Sequence, residues 1–333
     1  MSRFFLLCAS LILTSHTALA ADDPATPGWL SSWAATTNRE SIIDFVEATT
    51  TPGTPLFIKP SDRIAVFDND GTLWAEQPYY FQLAYALDQV RAQASEHPEW
   101  REQMPFKAVL DDDLDAVFAG GEHALLELVM ATHAGNTAAE FAASVRDWLR
   151  TARHPTTGRP YTEMVYQPML ELLGYLRANG YKTFIVSGGG IEFMRVFSQQ
   201  VYGIPPEQVI GSSIALQYEV REGVPVMVRQ PKINFIDDKA EKPVGIQQHI
   251  GKRPVMAFGN SDGDFQMLEW TTAGSGPRLG VYVHHDDAER EWAYDRDSSI
   301  GRLGRGLDEA GARGWLVVSM KRDWTAVFPA IDP

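Results

Sequence analysis

Two carboxylates, Asp68 and Asp70, follow the apolar run Ile64–Phe67 within Asp68-Asn69-Asp70-Gly71-Thr72. A carboxylate at the end of a buried strand can attack an electrophile and form a covalent acyl-phosphate. A second carboxyl group beside it can protonate the leaving oxygen and then deprotonate the attacking water. Gly71 permits a sharp turn, and the Thr72 hydroxyl can fix that turn or meet a phosphate oxygen. An acidic turn after a strand is common and needs no function. D-x-D-G-T directly after a hydrophobic strand favours the catalytic reading.

Three further clusters follow apolar runs. Residues 183–186 lead into Ser187-Gly188-Gly189-Gly190, and Phe193, Met194 and Phe197 mark a helix behind it. A hydroxyl and backbone N–H groups at a helix start make a phosphate cradle, although a flexible glycine turn looks the same in sequence. Residues 255–258 lead into Gly259-Asn260-Ser261-Asp262-Gly263-Asp264. Several hard oxygen ligands there, completed by water and phosphate, suit Mg²⁺. Before them Lys242 opens a predicted helix, where its charge could neutralise a phosphate and Asp68. Lys239 and Lys252 compete for that role. In the loop Trp74-Ala75-Glu76-Gln77-Pro78-Tyr79-Tyr80, Glu76 could pair with a substrate amine. Trp74, Tyr79 or Tyr80 could stack on a cationic head group. The competing reading has the aromatics packing the core and Glu76 in solvent. His284-His285-Asp286-Asp287 reads as a polar loop or helix cap at the site rim. Ser187 is not a hydrolase nucleophile, because no G-x-S-x-G surrounds it.

These residues need a scaffold that collects strand ends. Apolar runs at Ile64–Phe67, 183–186, 255–258, 279–283 and 315–318 read as strands of a parallel sheet covered on both faces. Helical patterns lie between them; one starts at Pro168, carries Leu170, Leu172, Leu173 and Leu176, and stops at Asn179-Gly180. An earlier helix carries Ile42, Ile43, Phe45 and Val46. Such alternation predicts a doubly wound, Rossmann-like α/β fold. Residues 76–165 interrupt it with helices alone, one opened by a Thr137/Glu140 capping box. The predicted organisation is a core of 21–75 and 166–333 with a helical domain, 76–165, inserted after the first strand. Residues 214–220 and 224–232 flank Arg221-Glu222-Gly223 and predict a β-hairpin beside the main sheet.

The first twenty residues, MSRFFLLCASLILTSHTALA, combine Arg3, a short apolar run and an Ala18-Leu19-Ala20 cleavage site. They read as a secretory signal peptide cleaved after Ala20, so the expected location is periplasmic or secreted. Cys8, the single cysteine, would leave with it, which excludes disulfides, zinc thiolates and cysteine nucleophiles. The chain has 333 residues, 44% hydrophobic, with a net charge of −14. That length is enough to bury a core without disulfides. The acidic balance excludes nucleic acid as a partner, while a local site can still take a small phosphorylated ligand. No later segment is apolar enough for stable membrane association once the signal is removed. Oligomeric state stays open.

Taken in order, the four clusters resemble the motifs of the haloacid dehalogenase (HAD) superfamily, in particular its phosphatases of the phosphoserine phosphatase and bacterial phosphorylcholine phosphatase kind. The resemblance covers most of 64–285. It implies Asp68 as nucleophile, Asp70 as acid and base, Ser187 with the Gly188 N–H on phosphate, and Lys242 as the lysine of the third motif. It further implies Mg²⁺ held by Asp68, the Asp70 carbonyl and the fourth motif, through Asn260 and Asp264. The family's fourth motif has Asp where this chain has Asn260, with Asp264 or Asp262 able to compensate. The helical insert sits where members carry a C1 cap. Asp70 fits phosphomonoester hydrolysis: dehalogenases need no acid there, and P-type ATPases carry Lys-Thr after the nucleophile. The expected activity is an Mg²⁺-dependent phosphomonoesterase working through an aspartyl-phosphate on a small metabolite. The alternatives are a phosphotransferase with the same intermediate, or a binding protein with weak catalysis, which Asn260 favours.

Overall fold

Four consecutive apolar residues build the first strand and supply two cores. In the computed structural model, which describes residues 28–330, Ala65 and Phe67 point into one buried cluster and Ile64 and Val66 into the other. Alternation of side chains across a strand makes this the expected result when both faces are covered. Cys8 and the segment read as a signal peptide lie outside the described residues. No helix among the described residues is long and apolar enough to cross a membrane.

The chain runs through α1 (Thr37–Thr50) and β1 (Ile64–Phe67). It then forms α2 (Phe81–Gln93), α3 (Phe106–Leu110), α4 (Leu114–Ala119), α5 (Gly121–His133) and α6 (Ala138–Thr151). It returns through α7 (Gln167–Ala178), β2 (Lys182–Gly190), α8 (Ile191–Arg195) and α9 (Ser198–Tyr202) to β3 (Val209–Arg221) and β4 (Val224–Phe235). Next come α10 (Glu241–His249), β5 (Met256–Gly259), α11 (Phe265–Thr272), β6 (Leu279–Asp286) and β7 (Ala293–Tyr294). The chain closes with α12 (Arg305–Arg313), β8 (Leu316–Ser319) and α13 (Met320–Asp323). The sheet order is β4-β3-β2-β1-β5-β6-β7, with β8 on β6. All pairings are parallel except β3–β4 and β6–β7. From β1 the strand order proceeds outward to β2 and β3 on one side and to β5, β6 and β8 on the other. The carboxyl end of β1 is therefore the switch point at which open α/β sheets bind ligands.

The five predicted strands are all present and parallel. Only helices and turns lie between β1 and β2 apart from isolated bridges, and the Thr137/Glu140 capping box forms, with bonds of 2.7 and 3.1 Å. Two expectations change. The hairpin does not stand beside the sheet: β3 begins at Val209 and pairs in parallel with β2 before it turns with β4, so it extends the sheet. Only Val209 and Ile210 precede Gly211, too short an apolar run to read as a strand. Ser187–Gly190 is no loop either. β2 runs through it with a bulge between Ser187 and Gly190.

Candidate active site

Register places the first carboxylate. Phe67 on β1 pairs with Phe258 on β5, their rings stack at 4.4 Å, and Asp68 N–H donates to Phe258 O at 2.9 Å. The chain then turns tightly, with Asn69 O accepting from Leu73 N–H at 2.8 Å. Gly71 has φ +72°, and a Cβ there would lie 2.0 Å from Asn260 Nδ2. No other residue fits that turn. His285, buried on β6, braces it: Nε2 donates to Gly71 O at 2.8 Å and Nδ1 meets Glu291 at 3.0 Å. Burial would lower the His285 pKa, but Glu291 and Glu76 outweigh it and hold the ring above its ordinary value. The segment 284–286, read as a loop or cap, is strand.

Lys242, near the start of α10, donates to Asp68 Oδ1 at 2.8 Å and to Asp264 Oδ1 at 2.5 Å. All three groups are buried. Burial pushes the Asp68 carboxyl well up, Asp264 and Asp70 add to that, and Lys242 opposes it. Burial alone would lower the Lys242 pKa, yet Asp264 and Asp68 hold the ammonium charged. Of the competing lysines, Lys239 is exposed beside Asp238, and Lys252 pairs with Asp62 on the surface. Asp264 Oδ2 accepts from Asn260 N–H at 3.0 Å and Ser261 N–H at 3.1 Å, which fixes the fourth cluster. Asp262 is turned away. It accepts the N–H groups of Gly304, Arg305 and Gly306 and caps α12, so it does not stand in for Asn260.

Asp70 Oδ1 accepts from Trp74 Nε1–H at 2.7 Å. Burial raises its pKa, with Trp74 opposing. A methyl placed on Gly189 would lie 3.4 Å from Asp70 Oδ2 and 3.5 Å from Ser187 Oγ, so the Ser187 segment flanks the acid. Ser187 Oγ accepts from Gly189 N–H at 3.2 Å, and Gly190 N–H donates to Gln82 Oε1 at 2.6 Å. These bonds occupy two of the N–H groups expected to cradle phosphate, which leaves Gly188. Gln82 passes the connection to His133 at 3.2 Å. Arg229 Nε donates to His133 O at 2.7 Å and its guanidinium pairs with Glu192. Nothing in the sequence marks this chain, because its members sit on α2, α5, α8 and β4.

Three predicted contacts need correction. Thr72 is fully buried and its hydroxyl donates to Asn260 Oδ1 at 3.1 Å, so it fixes the turn and does not face phosphate. Trp74 is 1% exposed, stacks on Phe197 at 4.5 Å and holds Asp70, which leaves it no surface for a head group. Glu76 borders the cavity, but its Oε1 already accepts from Asn260 Nδ2 at 2.7 Å and Tyr294 O–H at 2.8 Å. Burial raises its pKa to about 7. It fits a brace better than an amine receptor.

Asp68, Asp70, Ser187, Gly188 and Lys242 border one cavity of about 450 Å³. No group of three or more His, Cys, Asp or Glu side chains among the described residues is arranged to hold a metal ion. The implied set mixes one carboxylate, a backbone carbonyl and the Asn260 amide oxygen, whose second lone pair stays free beside the Thr72 hydroxyl, while Asp264 is spent on Lys242 and backbone. It still fits Mg²⁺. The buried surroundings carry Asp68, Asp70 and Asp264 against the single ammonium of Lys242, and Mg²⁺ needs few protein ligands when water and phosphate complete its shell.

The haloacid dehalogenase-like hydrolase family model matches residues 65–269. Among solved structures, a protein of unknown function from Bordetella pertussis Tohama I is 18% identical, with 77% of this chain and 98% of that chain covered and a TM-score of 0.48. A phosphoserine phosphohydrolase-like protein from Francisella tularensis is 16% identical, with 75% and 98% covered and a TM-score of 0.39. A probable phosphoserine phosphatase from Vibrio cholerae is 15% identical, with 80% and 71% covered and a TM-score of 0.37. No functionally curated protein matches the sequence.

Proposed function

The chain belongs to the haloacid dehalogenase-like hydrolase family, and from that premise we propose that it is a phosphomonoesterase that works through an aspartyl-phosphate. The observation that carries this reading is the buried Asp68–Lys242–Asp264 triad at the end of β1, with Asp70 and Ser187 on the same cavity. Asp68 attacks phosphorus while the bond to the leaving oxygen breaks. Asp70, whose burial favours the protonated form, donates its proton to that oxygen. Water then attacks the phosphorus of the acyl-phosphate and gives its proton to Asp70. Inorganic phosphate leaves and Asp68 is restored. Lys242 stabilises charge on the transferring group, and Ser187, whose oxygen accepts from Gly189, has its own hydroxyl hydrogen to offer a phosphate oxygen.

Asp68, the Asp70 carbonyl and the Asn260 amide oxygen would hold Mg²⁺, which supplies charge stabilisation for the phosphoryl group when bound. Residues 76–165 act in this reading as a cap over the site. The same reading makes the protein an exported enzyme, with Ala21 as its first mature residue. The test is phosphate release from p-nitrophenyl phosphate. EDTA should abolish it and Mg²⁺ should restore it. Full activity in EDTA would remove the metal from the reading, and no release under any condition would remove the phosphatase.

A further inference from the structure

The catalytic residues occupy only one end of the cavity. Much of its remaining wall is apolar, with Tyr80, Gln82, Ser212, Ser213, Arg229 and Asp238 also bordering it. Leu126, Val129 and Met130 on α5 face it from one side, and Ile214, Ile233 and Phe235 on the β3–β4 hairpin face it from the other. The two isoleucines are cross-strand partners, so the hairpin presents them together. On α5 the positions 126, 129, 130 and 133 form one helical stripe. On the same helix Leu128 is buried in the core of the helical insert, and Ala124, one turn before it, is buried as well. Along the cavity stripe Leu126 is 36% exposed and Val129 and Met130 are half-buried, while His133 at its end packs on Tyr85 and Phe141.

Several polar side chains in this wall are committed to one another. Gln82 binds Gly190 and His133, and Arg229 pairs with Glu192 and lies 3.8 Å over the Phe141 ring. Burial and Arg229 lower the His133 pKa to about 3, so its ring is neutral, with Nε2 accepting from Gln82 and Nδ1 donating to Thr132. Among the described residues, the charged side chains bordering this part of the cavity are paired, Arg229 with Glu192 and Asp238 with Lys239. From this juxtaposition we infer that the substrate is the phosphomonoester of an alcohol with an extended aliphatic body, bound with its phosphate at Asp68 and its hydrocarbon between α5 and the hairpin. This rests on the phosphatase reading above and replaces the small, amine-bearing substrate expected from Glu76. A volume near 450 Å³ is ample for such a body.

The test is kcat/KM for butyl, hexyl and octyl phosphate, with phosphoserine, phosphocholine and p-nitrophenyl phosphate as references. Each added methylene should raise kcat/KM about fourfold, the factor for burying one CH₂ group. Octyl phosphate should exceed phosphoserine and phosphocholine. Leu126→Asp, at a partly exposed position, should reduce the octyl-to-butyl ratio about tenfold or more, because the hydrocarbon then meets a charge. Calorimetric titration of the Asp68→Asn variant with octyl and butyl phosphate reads the same preference without turnover. Hydrolysis of p-nitrophenyl phosphate with a flat chain-length series overturns the inference and leaves the phosphatase standing. A chain-length preference in binding without hydrolysis of any ester overturns the phosphatase and leaves the apolar site standing. An octyl-to-butyl ratio unchanged by Leu126→Asp overturns the placement of the hydrocarbon.

Discussion

The strand end and the far end of the one cavity are built on opposite principles. At the strand end, charge is concentrated and over-determined: Lys242 bridges two buried carboxylates, and Asp264 is held in turn by backbone N–H groups. At the far end, the wall is largely apolar, and Arg229 is paired with Glu192. Preorganised charge suits a phosphoryl group, whose charge changes during transfer. A non-directional apolar wall suits a leaving group that only has to be held. The difference implies that chemistry and selectivity can be damaged separately.

Substitutions at the strand end should have the largest effects. Asp68→Asn keeps the shape of the side chain but cannot attack phosphorus. Turnover of p-nitrophenyl phosphate should fall by about 10⁴-fold or more while the circular dichroism spectrum stays native. Lys242→Met leaves two buried carboxylates without their cation. It should cost about 3–5 kcal/mol in urea unfolding as well as activity. By contrast, Leu126→Ala on the far wall should cost under about 1 kcal/mol, because that side chain is not core. Comparable losses from the two would erase the distinction between the ends.

A pH-dependent effect concerns a buried carboxyl beyond the hairpin. Asp237 follows β4 and is fully buried, with both carboxylate oxygens lacking a hydrogen-bond partner. Burial pushes its pKa up to about 8 from 3.8, with Lys242 opposing. Below about pH 4 both folded and unfolded chains carry the proton. As pH rises, the unfolded chain ionises first, so Asp237 subtracts stability progressively until the folded carboxyl also ionises near pH 8. Asp237→Asn should match the parent in urea at pH 4 and exceed it at pH 8. Equal midpoints at both pH values would place the carboxyl in a hydrated or paired setting.

The strand end was legible in the sequence because each of its groups lies at or just beyond the end of an apolar run or opens a helix. Asp68, Ser187 and Lys242 needed only that local pattern and a parallel sheet to meet. Spacing alone does not show which way a turn directs its side chains, so the sequence does not aim the Thr72 hydroxyl at Asn260 or choose packing over stacking for Trp74. Asp262 belonged to a helix cap forty residues away, invisible to local spacing. The far end was not legible at all. Its walls join residues 126–130 with 214–235, and in the sequence those apolar positions are indistinguishable from core. Burial had to be seen before their exposure to a cavity carried meaning.

The covalent intermediate gives the most direct test of the central claim. The Asp70→Asn variant should still accept phosphate from p-nitrophenyl phosphate, whose leaving group needs little protonation, and should release it slowly because no base activates water. Acid quenching followed by peptide mass spectrometry should then find a phosphoryl group on Asp68. A phosphoryl group on Ser187, or turnover with no covalent phosphate anywhere on the chain, would contradict the account.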